Sequence, residues 1–219
     1  MLKPAHAVVF DMDGLLLDTE VLYRDVMLTT CSEIGREMTI GIHQALIGIP
    51  RDRGIDVLLQ HYGTEFPITE FYERCAAAFA SRCHEGVPVK SGALELLLEL
   101  QSRRTPTAVA TSSRRKTAVD HLRRSGLLDM FQAVVTRDDV ENGKPHPESF
   151  LTAAELLKVD PADCWALEDS HNGVRAAHAA GMATIMVPDL LEPTKEISSL
   201  CAAVLPSLHH VRQTLSRMS

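Results

Sequence analysis

Residues 7–14 read Ala7-Val8-Val9-Phe10-Asp11-Met12-Asp13-Gly14, so that four apolar residues lead into two aspartates and a glycine. An apolar run without alternation is typical of a strand covered on both faces in a parallel sheet. Residues two apart in an extended chain point the same way, so Asp11 and Asp13 are expected to face one site. Gly14 then allows a sharp turn that a larger residue would resist.

The two aspartates of this stretch can be interpreted in two ways. Neighbouring carboxylates repel each other, so they usually hold a cation or share a proton. Mg²⁺ is the natural cation, because it is a hard ion that takes oxygen ligands and often binds beside a phosphate. Alternatively, the aspartates only cap backbone amides in a turn. From this stretch alone, both interpretations stay open.

Further apolar runs follow along the chain, and helical patterns separate them. In one predicted helix Leu94, Leu97, Leu98 and Leu100 are expected to form the apolar face, and in another Phe150, Ala153, Ala154 and Leu157 recur at helical spacing. This alternation predicts an α/β fold with a Rossmann-like, doubly wound parallel sheet. The predicted strands are Ala7–Phe10, Thr107–Ala110, Ala133–Thr136, Cys164–Leu167, Ala183–Val187 and Ala202–Leu205.

The region between about Thr19 and Arg82 departs from this alternation. It contains no convincing β-run, whereas helical patterns persist through it. We therefore predict an α-helical domain at residues 18–85, inserted into an α/β core formed by residues 1–17 and 86–219.

Polar groups also follow the other predicted strands. Thr111-Ser112-Ser113 offers hydroxyls ahead of a helix, where an anion can bind, although a simple helix cap would use the same residues. Lys144 lies in Gly143-Lys144-Pro145 and could neutralise phosphate oxygens, and Glu168-Asp169-Ser170 forms another acidic pair. Ligands of open parallel sheets bind beyond the carboxyl ends of the strands. Chemistry-bearing residues at four strand ends therefore favour a functional site.

The four motifs together resemble those of the haloacid dehalogenase (HAD) superfamily, in order and across the whole chain. Asn172-Gly173-Val174 and Ala179-Ala180-Gly181-Met182 extend the match. An α-helical insertion after the first motif is similar to the C1 cap domain of the branch that contains β-phosphoglucomutase and sugar-phosphate phosphatases.

This resemblance implies a set of roles for the matching residues. Asp11 would be the nucleophile that forms an aspartyl-phosphate, and Asp13 the general acid–base. Thr111 and Ser112 would bind phosphoryl oxygens, and Lys144 would offset their charge. The resemblance implies that Mg²⁺ is held by Asp11, the backbone carbonyl of Asp13, and Asp169, with Glu168 in support. Arg51 and Arg114 would contact substrate, although exposed surface positions explain both arginines equally simply.

We therefore expect a Mg²⁺-dependent phosphatase acting on a small phosphorylated metabolite, a sugar or nucleoside phosphate. A β-phosphoglucomutase-type isomerase is the alternative enzyme, but the mutases carry a histidine where this chain has Tyr23. Tyrosine cannot replace histidine in proton transfer at neutral pH with its ordinary pKa, which favours water as the phosphoryl acceptor. A non-catalytic HAD-like binding protein is the alternative from another class.

Composition and charge limit the classes of protein to which the chain can belong. The 219 residues carry a net charge of −7, and their basic residues are dispersed, so nucleic-acid binding is not expected. The five cysteines contain no Cys-x-x-Cys pair, which predicts free thiols. No segment is apolar and long enough for a membrane span, and the N-terminus lacks the features of a secretion signal. We expect a cytoplasmic monomer or weak dimer.

Overall fold

The computed structural model describes residues 2–47 and 51–218. The chain divides into two compact units: Met1–Asp18 with Val87–Ser219, and Thr19–Gly86. We call the first the sheet unit and the second the helical unit. Within the described ranges, no helix combines the length and apolar character that crossing a bilayer requires.

The sheet unit contains a six-stranded sheet in which every paired strand is parallel, in the order β3-β2-β1-β4-β5-β6. This confirms the predicted doubly wound α/β fold. Because strand order reverses beside β1, a crevice is expected at the carboxyl ends of the central strands. The strands are β1 (Ala7–Phe10), β2 (Thr107–Ala110), β3 (Ala133–Val135), β4 (Cys164–Glu168), β5 (Ala183–Met186) and β6 (Ala203–Val204).

The helical unit precedes the remaining helices in the chain. It consists of α1 (Thr19–Glu33), α2 (Ile40–Leu46), α3 (Arg51–Tyr62) and α4 (Ile68–Glu85). Its helices enclose a separate apolar core that includes Val26, Cys31, Leu58, Phe71 and Cys75.

Helices of the sheet unit pack against strands that are buried along their whole length. Every residue of β1, β2 and β4 is buried, which explains why apolar residues predominate in them. The helices are α5 (Ala93–Ser102), α6 (Arg115–Arg124), α7 (Glu148–Leu157), α8 (His171–Ala179), α9 (Lys195–Leu200) and α10 (Leu208–Ser216), with short 3₁₀ turns at Leu128–Met130, Arg137–Asp139 and Pro161–Asp163.

One predicted helix face was partly wrong. Leu94 and Leu98 are 45% and 50% exposed, whereas α5 buries Ala93, Leu96, Leu97 and Leu100. The buried positions follow the spacing of one helical stripe, i, i+3, i+4 and i+7, which the predicted set did not. For α7 the predicted face is confirmed, since Phe150, Ala153 and Ala154 are buried and Leu157 packs beside them.

Candidate active site

Four strand ends bring the predicted motifs to one edge of the sheet. Asp11 follows β1, and its amide donates to the Leu167 carbonyl at 2.9 Å, continuing the pairing with β4. Thr111 follows β2, and its amide donates to the Val135 carbonyl at 2.9 Å. These backbone bonds fix where the polar side chains leave the sheet.

Lys144 joins the two acidic motifs. Its ammonium donates to Asp11 Oδ1 at 2.6 Å and to Glu168 Oε1 at 2.5 Å, and its side chain is only 5% exposed. The ammonium also lies 4.9 Å from the centre of the Phe150 ring. Burial by itself would lower the pKa of Lys144, but the charges of Asp11 and Glu168 raise it, so the lysine stays protonated.

The carboxylates of this cluster carry more negative charge than the single positive charge of Lys144 can neutralise. The pKa of the Asp11 carboxyl is raised to about 8, because burial and the charges of Glu168 and Asp13 together outweigh the lowering effect of Lys144. Asp11, Glu168 and Asp169 each offer an oxygen atom, and these atoms lie within 4.8 Å of one another. Carboxylate oxygens that converge in this way suit a hard divalent cation. The donor set therefore fits a metal.

Hydroxyl groups after β2 hold the second aspartate of the first motif. Ser113 Oγ donates to Asp13 Oδ2 at 2.7 Å, and Thr111 Oγ1 lies 3.4 Å from the same oxygen. The Ser113 amide donates to Thr111 Oγ1 at 3.0 Å, which links the Thr111 hydroxyl to the backbone of the turn. Ser112, which is predicted to bind phosphoryl oxygens, is exposed, as is Arg114 at the start of α6.

The comparisons with known proteins agree with this geometry. The family model described as "Haloacid dehalogenase-like hydrolase" matches residues 8–187. The chain belongs to this family. The predicted resemblance is thereby confirmed, and the protein is a HAD-like hydrolase.

Relatives of this HAD-like hydrolase are named for two activities, phosphatase and phosphoglucomutase. The chain is 35% identical to "Phosphorylated carbohydrates phosphatase" of Thermotoga maritima, over 82% of this chain and 83% of the relative. It is 31% identical to "Beta-phosphoglucomutase" of Bacillus subtilis, over 83% and 82% of the two chains. A solved HAD family hydrolase from Deinococcus radiodurans, with bound phosphate and sodium, superposes with a TM-score of 0.87 at 28% identity, covering 99% of this chain and 97% of that one.

Glu168 of the HAD-like hydrolase organises the loop after β4. Its Oε2 accepts from the amide of Asp169 at 3.0 Å and from the amide and hydroxyl of Ser170, each at 2.9 Å. The carboxylate is completely buried against Gly173, where an added Cβ would overlap it. Glu168 thus fixes the position of Asp169 as well as contacting Lys144.

Two glycines make room for the acidic groups, and sequence reasoning gave neither this role. Gly173 accommodates the Glu168 carboxylate within α8. Gly14 has a φ of +85°, and a Cβ there would overlap Asp169 Oδ2. The sequence does contain a signal for each, because Gly14 directly follows the aspartate pair and Gly173 lies just after the second acidic motif.

The helical unit has its own cavity of about 360 Å³, and Tyr23, Arg51 and Tyr72 are among its lining residues. The Arg51 guanidinium lies 4.5 Å from the centre of the Tyr72 ring. Burial raises the pKa of Tyr23 to about 12, so its hydroxyl stays protonated at neutral pH. Gly48, Ile49 and Pro50, which precede Arg51 in the sequence, lie outside the described residues.

Proposed function

We propose that this protein is a Mg²⁺-dependent phosphatase that hydrolyses a small phosphorylated metabolite, a sugar or nucleoside phosphate, through a phosphorylated Asp11. The observation that carries the proposal is the buried Lys144, which bridges Asp11 and Glu168 beside a third carboxylate, Asp169. Family membership and the phosphatase relatives support the class of phosphoric monoester hydrolase.

The proposed reaction has two steps. Asp11 attacks phosphorus, its oxygen forms the new bond, and the bond from phosphorus to the substrate oxygen breaks while Asp13 gives that oxygen a proton. Asp13 then takes a proton from water as the water oxygen attacks phosphorus, which releases phosphate and regenerates Asp11. Ser113 and Thr111 keep Asp13 in place, and Thr111 and Ser112 are proposed to contact phosphoryl oxygens.

We assign the metal to the oxygen atoms of Asp11, Asp169 and the Asp13 backbone carbonyl, with Glu168 in support. Bound Mg²⁺ would supply positive charge that holds Asp11 ionised and offsets the charge of the phosphoryl group. Lys144 supplies the rest of that charge from within the protein, since it stays protonated between its two carboxylates.

Substrate recognition is assigned to two further residues, Arg51 and Arg114, and to the cavity of the helical unit. Arg51 lines this cavity, and Arg114 is exposed at the start of α6. A guanidinium can pair with an anionic group of a substrate in two parallel hydrogen bonds.

We propose residues 18–85 as a C1 cap and residues 1–17 with 86–219 as the core. The cytoplasmic location and the monomeric or weakly dimeric state stay predictions.

A phosphoglucomutase-type isomerase is the second candidate, favoured by the similarity to the Bacillus subtilis mutase. Tyr23 argues against it, because a tyrosine whose pKa is raised to about 12 is a poor acid–base group at neutral pH. The third hypothesis, a HAD-like protein without catalysis, conflicts with the intact cluster around Lys144.

The decisive experiment is a screen of phosphorylated metabolites for phosphate release with Mg²⁺ and with EDTA. We expect Mg²⁺-dependent release by the wild type and none by Asp11→Asn. Slow release beside fast interconversion of hexose 1- and 6-phosphates would assign the protein to the mutases. A wild type that is inactive across the whole panel would favour the non-catalytic hypothesis.

A further inference from the structure

Asp189 is a carboxylate beside the candidate active site that none of the motifs above includes. It lies three residues beyond the end of β5, whose last residue Met186 pairs with Glu168 at the end of β4. The amide of Val187 also donates to the Glu168 carbonyl at 2.7 Å. The loop that carries Asp189 therefore starts from the same sheet edge as the acidic cluster.

The two carboxylate oxygens of Asp189 have different surroundings. Oδ1 accepts from the Lys90 ammonium at 2.6 Å. Oδ2 is buried, and among the residues that the structure describes none donates a hydrogen bond to it. The side chain as a whole is 11% exposed. A buried carboxylate oxygen without a donor is unfavourable, so Oδ2 is expected to take a donor that is not a protein group.

The position of Gly14 shows which groups Oδ2 faces. A Cβ added at Gly14 would overlap Asp169 Oδ2 and would lie 3.5 Å from Asp189 Oδ2. Both oxygens thus border the same small space beside the turn after β1. Asp189 is not one of the residues whose oxygens converge within 4.8 Å, which are Asp11, Glu168 and Asp169. It is therefore placed beside the metal ligands and not among them.

Lys90 holds this arrangement in place. Besides Asp189, its ammonium lies 3.4 Å from Asp18 Oδ1. Its backbone amide donates to the Leu16 carbonyl at 2.9 Å, and the Asp18 amide donates to the Pro88 carbonyl at 2.8 Å. Lys90 is thereby attached to the segment that follows the first motif, and its ion pair fixes the Asp189 carboxylate relative to that segment.

We propose that Asp189 is a positioning residue for the metal, in which Oδ2 accepts a hydrogen bond from a water molecule bound to Mg²⁺ and Lys90 orients the carboxylate. Mg²⁺ keeps several of its waters in protein sites, and these waters need acceptors. The inference rests on the metal site of the proposed function, but it adds a residue outside the four motifs.

The test measures Mg²⁺ binding to the full chain by isothermal titration calorimetry, with Mg²⁺ alone as the ligand. Asp189→Asn should raise the Mg²⁺ Kd by about tenfold or more, the usual effect of losing an outer-shell partner. Asp129→Asn is the matched control, because Asp129 is exposed just before β3, at the opposite edge of the same unit. Its Mg²⁺ Kd should equal that of the wild type, and melting in EDTA checks that each variant folds.

The Lys90→Met variant distinguishes the positioning of Asp189 by Lys90 from the effect of the lysine charge alone. Removing a positive charge near a cation should by electrostatics alone tighten Mg²⁺ binding, whereas loss of the Asp189 orientation should weaken it. Weaker binding by both Asp189→Asn and Lys90→Met supports the inference. Wild-type affinity in Asp189→Asn, or tighter binding by Lys90→Met, overturns it while leaving the proposed function intact. A wild-type protein that binds no Mg²⁺ overturns this inference together with the metal assignment.

Discussion

Replacing Gly173 with alanine should destabilise the protein although alanine favours helices. Gly173 lies in the first turn of α8, and its new Cβ would overlap the buried Glu168 carboxylate. The carboxylate has to move, which strains its ion pair with Lys144 and its hydrogen bonds to the amides of Asp169 and Ser170. The substitution therefore acts through Glu168 and leaves every charged group present.

The size of the effect follows from two opposing contributions. Breaking a buried ion pair costs about 3–5 kcal/mol, and hydrogen bonds to a charged group contribute about 1.5–3 kcal/mol each. Alanine in a helix gains about 0.5–1 kcal/mol over glycine. Because the loop can relax and keep some bonds, we expect a net loss of about 3 kcal/mol. For a chain of this size that corresponds to a fall in Tm of roughly 6–12 °C.

The assay is urea and thermal unfolding of the full chain, followed by circular dichroism in EDTA. Gly41→Ala is the matched control, because Gly41 also lies in the first turn of a helix and the nearest atom to its added Cβ is Thr39 Oγ1 at 3.8 Å. This control should be neutral or stabilising by up to about 1 kcal/mol. A Gly173→Ala protein as stable as the control would refute the argument.

A double-mutant cycle tests the proposed cause directly. Glu168→Ala removes the carboxylate with which the added Cβ collides, so Gly173→Ala should cost much less in that background than in the wild type. If the two substitutions are additive in free energy of unfolding, Glu168 is not the group through which Gly173 acts.

Three other perturbations test separate parts of the site and fold. Lys144→Met leaves its two buried carboxylates without a counter-charge, so stability in EDTA should fall by about 3–5 kcal/mol, as measured by urea unfolding, and turnover should be lost. Ser113→Ala removes a hydrogen bond to the Asp13 carboxylate worth about 1.5–3 kcal/mol, so kcat measured by phosphate release should fall about tenfold or more. Glu99→Gln should flatten the dependence of stability on pH in acid, because hydrogen bonds hold the pKa of Glu99 below its usual value.

Each of these predictions has its own control. For Lys144→Met, added Mg²⁺ should recover part of the lost stability, and unchanged stability in EDTA would contradict the charge argument. Ser113→Thr keeps the hydroxyl and should restore much of kcat, whereas the exposed Ser102→Ala should leave kcat unchanged. Equal rates for Ser113→Ala and wild type would remove Ser113 from the mechanism.

The direction of the Glu99 effect follows from its contacts. Hydrogen bonds from Ser216, Arg212 and Arg103 lower its pKa in the folded protein. Its contribution to stability is therefore present above the ordinary glutamate pKa of about 4.3 and is lost as the pH falls through the lowered folded value. The difference in stability between wild type and Glu99→Gln should shrink over that range, and a constant difference would show that these bonds do not survive in solution.

Local sequence was sufficient for the strands and for most of the motifs. Continuous apolar runs identified all six strands to within one or two residues, and β1, β2 and β4 have no polar side because they are buried along their whole length. The motif residues Asp11, Lys144 and Glu168 do meet, since carboxyl ends of neighbouring parallel strands share one edge. The apolar face of α5 was predicted only in part, because a leucine-rich helix offers more than one apolar stripe.

The sequence by itself determined the doubly wound sheet and the chemical groups at its strand ends. Tertiary structure alone decided which hydroxyl reaches Asp13, because Ser112 and Ser113 are chemically equivalent and only the turn after β2 directs one of them inward. It also decided that Glu168 lies against Gly173 and that Asp189 and Asp169 border the same space beside Gly14. Such contacts depend on distances between segments far apart in the chain, which no local pattern encodes.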